Sequence, residues 1–338
     1  MSNNTIIGID LAKSVFQVAV MSKGQIVSNQ RLKRSALIQF IATTPPTTIA
    51  MEACYSSHYW ARVCQKHGHN VQLIPAQHVK PFTRGNKTDA NDSVAIIEAS
   101  QRPNLKFVPI KSIHQQDIQS LHRIRERLVR NRTALMNQTR GLLSEYGIVS
   151  PIGKKGFLLG IEKALNDCEL SDLIHRELQS VLSELQKASE RIKEIESDLR
   201  QYVEKNKNCR ILHSIPGIGF INASALICKY GNGSQFNTAR SLAVNLGLTP
   251  KLSASGNSQY MQGISKRGDP YCRKQLIHGA RALLGICEKR PEDALCRWAA
   301  RLKKRRGFNI AVVALANRLA RLAWVLLHKQ ETYRAMPV

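Results

Sequence analysis

The chain of 338 residues is short of acidic side chains, short of aromatics and without a long unbroken apolar run, and each shortage narrows what it can be. Only 24 Asp and Glu stand against 50 Lys and Arg, so the formal charge is +26 before any histidine protonates. That excess calls for a polyanion, either nucleic acid or anionic lipid. Lipid anchoring also needs an apolar span, a lipidation site or a strongly amphipathic terminus. The most apolar late stretch, from Phe308 to Leu327, is interrupted by Asn309, Asn317, Arg318 and Arg321, which predicts an amphipathic helix and no membrane partner. Aromatics are 6% of residues, too few for recognition dominated by stacking bases on exposed rings. The opening MSNNTIIGID lacks a basic leader before an apolar core, so a cytoplasmic location is expected. Eight scattered cysteines argue against a disulfide scaffold. One local group, Cys54, His58, Cys64 and His67, has loose zinc-ligand spacing, against which stands simple packing of a helix face.

With 43% apolar residues the chain can build cores, so a wholly disordered basic protein is excluded. Residues 5–21 read as one strand, Gly24 as a turn and QIVSNQRL as a second strand, together a β-hairpin. A helix near residues 36–42, the strand TTIAMEA, a helix over YSSHYWARVCQKHGH and the strand NVQLIPA follow, predicting a sheet covered by helices in residues 1–110. From Gln115 to Gly147 no proline intervenes, and Leu121, Leu128, Leu135 and Leu142 recur every seven residues, predicting a long helix decorated by Arg123, Arg125, Arg127, Arg130, Arg132 and Arg140. A second long helix carries Leu178, Leu185, Ile192 and Leu199 on one heptad position and Val181, Ala188, Ile195 and Tyr202 on the other. That seam suits a coiled coil between chains or an antiparallel hairpin within one, over residues 111–208. Residues 209–338 read as a mostly helical segment with its own core.

In so basic a chain the acidic residues at element ends are informative. Asp10 sits among apolar neighbours in Gly8-Ile9-Asp10-Leu11, where an unpaired carboxylate costs several kcal/mol, so a metal ion or a basic side chain should meet it. Glu52 ends the strand Thr48–Glu52, and strand ends are where α/β sites form. Asp89 and Asp92, in Asn86-Lys87-Thr88-Asp89-Ala90-Asn91-Asp92, open a helix and share one of its faces. Helix capping competes for Asp89 and explains Asp92 poorly. Four carboxylates on two strands and a helix are what two Mg²⁺ ions need when they clamp a phosphodiester. The order of elements resembles the ribonuclease-H-like fold of Holliday-junction resolvases of the RuvC type.

Further along, Ser214-Ile215-Pro216-Gly217-Ile218-Gly219 looks like the turn of a helix-hairpin-helix element, whose Gly217 and Gly219 would let backbone N–H groups approach a phosphate; a plain helix-turn-helix connection is the other reading. There follow Phe236-Asn237-Thr238-Ala239-Arg240, Gly247-Leu248-Thr249-Pro250, Ser253-Ala254-Ser255-Gly256, Ile264-Ser265-Lys266-Arg267-Gly268-Asp269 and Arg273-Lys274. Together with the acidic quartet this series, spread over nearly the whole chain, resembles the DEDD transposases of insertion-sequence family 110, including its 1111 subgroup, and the related Piv DNA invertases.

The resemblance implies a DNA recombinase in which a RuvC-like domain holds Mg²⁺ through Asp10, Glu52, Asp89 and Asp92, while a C-terminal transposase domain supplies a serine that becomes covalently joined to DNA. Matched by motif, that serine is Ser255, with Ser253, Ser258 and Ser265 nearby. Lys87, Arg123, Arg127, Arg130, Lys266, Arg267, Arg273 and Lys274 are expected at nucleic-acid backbones, with the late run Arg301 to Arg306 as a further contact or a solvated face. The family also implies donor and target DNA, an element-encoded non-coding RNA that reads sequence by base pairing, and action at the bacterial nucleoid; a homodimer or homotetramer is expected because strand exchange between two duplexes needs several cleavage sites and the heptads at 178–202 offer a joint. A metal-dependent junction nuclease using activated water and a non-enzymatic nucleic-acid scaffold remain as alternatives; a covalent intermediate separates the first from a recombinase, and strand cleavage the second.

Overall fold

The computed structural model describes residues 5–83, 88–167, 169–256 and 258–335. The chain divides into two compact units, Met1–Ser112 and Ile113–Val338. The first is mixed α/β, with strands β1 (Ile6–Asp10), β2 (Val15–Ser22), β3 (Gln25–Lys33), β4 (Thr48–Glu52) and β5 (Asn70–Ile74) and helices α1 (Arg34–Thr43), α2 (Ser57–Lys66), α3 (Ala76–Val79) and α4 (Asp89–Ser100). The sheet runs β3-β2-β1-β4-β5, antiparallel as far as β1 and parallel beyond it.

The stretch 5–21, which the sequence presents as one strand, is two. Apolar Ile6–Ile9 and Phe16–Val20 are separated by the exposed Ala12, Lys13 and Ser14, and the chain folds back there so that Asp10 faces Gln17. Alternation then sorts the sheet's two faces. Ile7, Ile9, Phe16, Val18, Ile49 and Met51 join Leu37 and Ile41 of α1 and Trp60, Ala61 and Cys64 of α2 in one core, where Phe16 and Trp60 meet edge to face at 4.8 Å. Ala50 and Ile74 join Val79 of α3 and Ala95, Ile96 and Ala99 of α4 in a thinner core on the other face. Each large apolar side chain so buried contributes about 1.5–3 kcal/mol.

The second unit contains α5 (Ile113–Glu145), α6 (Gly153–Leu165), α7 (Asp172–Lys205), α8 (Lys207–His213), α9 (Phe220–Tyr230), α10 (Ala239–Asn245), β6 (Pro250–Ser255), β7 (Ser258–Ile264), α11 (Pro270–Ile286), α12 (Ala294–Arg306) and α13 (Phe308–Lys329). The heptad seam of α7 is occupied within the chain. Leu178 and Leu185 share a core with Leu143 of α5 and with Phe157 and Ile161 of α6, and Ile195, Leu199 and Tyr202 share another with Ile118 of α5 and with α9. The start of α5 thus meets the end of α7 and its end meets the start of α7, the antiparallel alternative of the two, and the Arg125 guanidinium donates across them to Glu196 Oε1 at 2.6 and 2.8 Å. The sevenfold leucine register drifts, because a straight helix gains about 20° per heptad on such a repeat. By its last member Leu142 is exposed and Leu143 is the buried residue.

Helix α13 is long and apolar enough to cross a bilayer by length and composition alone. Its Ala311, Val312, Leu315, Ala316, Leu319, Ala320 and Ala323 are instead buried in the second unit's core, and Asn317 donates to the Leu248 carbonyl at 3.1 Å.

Candidate active site

The side of the sheet facing α4 carries every second residue: Gly8 and Asp10 on β1, Ala50 and Glu52 on β4, Gln17 on β2, and Asn29 and Arg31 on β3. Asp10 and Glu52 end neighbouring parallel strands, so both carboxylates leave the sheet at one edge. Gly8 lets α4 lie directly on β1, since a Cβ there would come 2.4 Å from the Ser93 carbonyl oxygen and 2.6 Å from Ile97 Cγ1. Helix α4 is capped by Thr88, whose hydroxyl accepts from the Asn91 N–H at 3.3 Å. Thr88 therefore does the work that competed for Asp89, and Asp89 and Asp92 occupy the first turn, where the helix dipole favours negative charge. Asp92 accepts from the Thr83 hydroxyl at 3.3 Å, and Asp89 lies 3.9 Å from exposed Arg31.

The four carboxylates act on one another. Burial first, then the charges of Asp92, Asp89 and Glu52, push the Asp10 carboxyl up to about 6, against an opposing hydrogen bond from the Leu11 backbone. Among the described residues no three Asp, Glu, His or Cys side chains close into a ready ligand shell, so the quartet is a concentration of charge and not a preformed cage. Its chemistry fits a divalent cation: hard oxygen donors, and repulsion that a cation would relieve. Lys87 and Asn86 of the acidic box lie outside the described residues. The Cys54 to His67 group is taken up by packing and capping contacts. Cys64 is buried, which pushes its thiol up to about 12, and His58 Nδ1 accepts from the Lys111 N–H at 3.3 Å.

In the second unit, Ser255 ends β6 of a two-stranded hairpin that the expectation of a mostly helical segment does not contain. Its signal was in the sequence: Gly256-Asn257 between two runs of six or seven non-helical residues, with Gly256 at φ +54°. Ser253 pairs with Tyr260 and Ser255 with Ser258, so these four share one face, while Leu252 and Met261 share the other; all six are exposed. The foot of the hairpin is tied where two loops cross backbone to backbone. A Cβ on Gly247 would lie 2.3 Å from the Arg267 carbonyl oxygen, and one on Gly268 would lie 1.7 Å from that of Asn245. Ser265 N–H donates to Thr249 O at 2.8 Å and Lys266 N–H to Gly247 O at 3.2 Å. The Gly-Leu-Thr-Pro and Lys-Arg-Gly motifs are thus two sides of one clasp.

Comparison with known proteins places the chain among transposases. The family model for DEDD transposases of IS110, described as a transposase, matches residues 7–148, and one described as the transposase IS116/IS110/IS902 family matches residues 209–295. A probable family 20 transposase of Pseudomonas aeruginosa is 42% identical, over 98% of this chain and 99% of its own. The transposase for insertion sequence element IS1111A of Coxiella burnetii is 40% identical, over 99% of this chain and 92% of its own. The transposase for IS1328 of Yersinia enterocolitica is 37% identical, over 96% and 97%. The chain belongs to the IS110 family of transposases. It is an enzyme that cuts and rejoins DNA, of a DEDD type that works with divalent metal.

The basic residues singled out in the transposase's sequence fall into two groups. Arg123, Arg127 and Arg130 are exposed along one stripe of α5, and Lys266 and Arg267 are exposed beside the clasp. Arg273 is engaged within the protein, where its Nη1 donates to the Leu246 and Arg267 carbonyls at 3.1 and 3.0 Å and holds the clasp shut. Lys274 pairs with Glu126 of α5. Gly219 is exposed at the start of α9, whereas a Cβ on Gly217 would lie 3.1 Å from the Gly279 carbonyl oxygen of α11. Sequence reasoning missed an open groove of about 1630 Å³ at the hairpin's foot, lined by Met261 and Lys266 and by Arg306, Arg318 and Arg321 of α12 and α13. Its hairpin side and its arginine side lie forty and more positions apart in the chain, for which no local pattern exists.

Proposed function

We propose that this transposase cuts and rejoins DNA through a covalent phosphoserine at Ser255, assisted by Mg²⁺ held by Asp10, Glu52, Asp89 and Asp92 in a ribonuclease-H-like, RuvC-type first unit. The observation that carries the reading is the convergence of the four carboxylates on one sheet face, felt by Asp10 as a rise to about 6. The strand order, with carboxylates at the ends of two central parallel strands, supports the fold assignment. Bound Mg²⁺ would lower the pKa of an attacking hydroxyl and neutralise charge on the phosphate. Ser255 Oγ would form one ester bond to phosphorus while a sugar oxygen leaves and takes up a proton, so the bond energy is kept for rejoining. Exposure of Ser255, Gly256 and Ser258 supports access of a phosphodiester to Ser255.

The same reading includes an element-encoded non-coding RNA as guide, donor and target DNA as substrates, and action at the nucleoid in the cytoplasm. The stripe of Arg123, Arg127 and Arg130 suits salt-sensitive contact with either backbone, and the α8–turn–α9 segment suits a helix-hairpin-helix grip through Gly219. A homodimer or homotetramer follows from the need for several cleavage sites. Because the α7 seam is filled within the chain, the exposed apolar Val149, Ile152 and Leu159 offer one surface for joining copies.

The test is to incubate the protein with Mg²⁺, DNA carrying the element's ends and target, and RNA transcribed from its flanks, and to look for protein-linked DNA on a denaturing gel. An adduct formed by the unaltered protein and lost in both Ser255→Ala and Asp10→Ala is expected. Cleavage that survives Ser255→Ala without any adduct would replace the recombinase by a junction nuclease.

A further inference from the structure

We infer that Gln17, Asn29 and Ser93 form a positioning relay that sets how Asp89 and Asp92 stand relative to Asp10, and through it the cation affinity of the quartet. The inference rests on the reading of the quartet as a divalent-metal site. Gln17 lies directly across from Asp10 on the neighbouring strand and is 6% exposed. Its Nε2 donates to Asn29 Oδ1 at 2.6 Å. The Asn29 Nδ2 in turn donates at 3.0 Å to the carbonyl of Ala90, the residue that follows Asp89 in the first turn of α4. The Ser93 hydroxyl closes the loop, its one hydrogen shared between the Ala90 carbonyl at 2.9 Å and Asn29 Oδ1 at 3.3 Å. A continuous hydrogen-bonded path therefore runs from the strand beside Asp10 to the backbone between the two helical aspartates.

Two features separate this path from ordinary fold stabilisation. Asn29 is exposed on the edge strand β3, where water can replace its hydrogen bonds, so it adds little to stability. Gln17 Oε1, by contrast, is buried and without a hydrogen-bond partner, on the face that bears Asp10. A buried acceptor left open beside a carboxylate cluster suits a donor that arrives with the cation, such as one of its bound waters. Groups that orient ligands without touching the metal typically change affinity 10- to 100-fold when removed.

The test is a Mn²⁺ titration of the full chain, followed by the electron paramagnetic resonance signal of free Mn²⁺, with thermal unfolding measured on the same samples. Asn29→Ala is expected to weaken Mn²⁺ binding about tenfold or more while the melting temperature stays near that of the unaltered protein. Asn29→Thr, which suits an edge strand but is too short to reach Ala90, is expected to behave alike and stands in should the alanine variant fold poorly. Folded Asn29 variants that bind Mn²⁺ as tightly as the unaltered protein would overturn the relay. Asp10→Asn distinguishes the deeper failure: if it too leaves Mn²⁺ affinity unchanged, the quartet is not the metal site and the relay falls with it.

Discussion

The carboxylate face of the first unit and the serine hairpin of the second are opposite ways to present a reactive group. Asp10 and Glu52 end strands whose neighbouring residues Ile9 and Met51 are fully buried, and a helix is pressed onto the same sheet through Gly8. Ser255 sits on a separate two-stranded sheet with every residue from Pro250 to Gly256 exposed, tied at its foot by the clasp. A ribbon of two strands is marginally stable in water. The acids are thus held in place by the fold, while Ser255, the proposed nucleophile, is left to be held by what it binds.

The sharpest way to break this contrast is Gly8→Ala. The atoms in the way include backbone, so α4 must lift from β1; a loss of about 3 kcal/mol is expected by urea unfolding, together with weakened Mn²⁺ binding. Unchanged stability would mean the acidic face is as loosely supported as the hairpin.

A second measurement asks whether the looseness of the second unit is confined to its hairpin. His122 of α5 is 2% exposed, its Nδ1 lies 3.0 Å from the Tyr271 hydroxyl of α11, and burial, aided by the charge of Arg125, lowers it to about 4. Its folded value lies below its unfolded one, so the unfolded chain takes up the proton first. The stability that depends on a neutral His122 is therefore complete above about pH 6.5 and is lost as pH falls from there toward 4, by up to about 3 kcal/mol. His122→Gln should flatten that part of the pH dependence; an unaltered slope would show that the α5–α11 contact is as open as the ribbon.

The smallest effect is expected at the ribbon itself. Leu252→Ser and Met261→Ser remove apolar side chains that are 56% and 80% exposed, and unfolding free energy should move by no more than about 0.5 kcal/mol. A larger loss would mean that these side chains are packed in solution and the ribbon is supported after all.

How legible each region was in the sequence follows the same line. Asp10, Glu52 and the Asp89–Asp92 pair could be read because alternation and a helix start are local signals, and burial makes those signals strict. The return of the chain between Leu11 and Ser14 was less legible, since apolar residues on both sides continue the pattern of a single strand. The heptads of α7 announced a seam without saying whose helix fills it, because Leu and Ile at those positions pack equally well within or between chains. Arg273 carried the charge expected of a phosphate contact, yet its partners are carbonyls brought near by the crossing of two loops. The hairpin was overlooked because strands with no buried face need no alternation of apolar residues, leaving only Gly256-Asn257 to mark it.

The sorting of the sheet by alternate residues has a consequence for how such an element decays as it is copied. Insertion or deletion of one codon within β1 between Ile6 and Asp10 would keep the reading frame and the composition, yet would turn Asp10 from the α4 side toward the apolar core of Phe16 and Trp60. The direction of this acid is therefore inherited as a parity. An even change of length inside a strand can preserve which way the acid points, and an odd one reverses it while leaving nearly every residue intact.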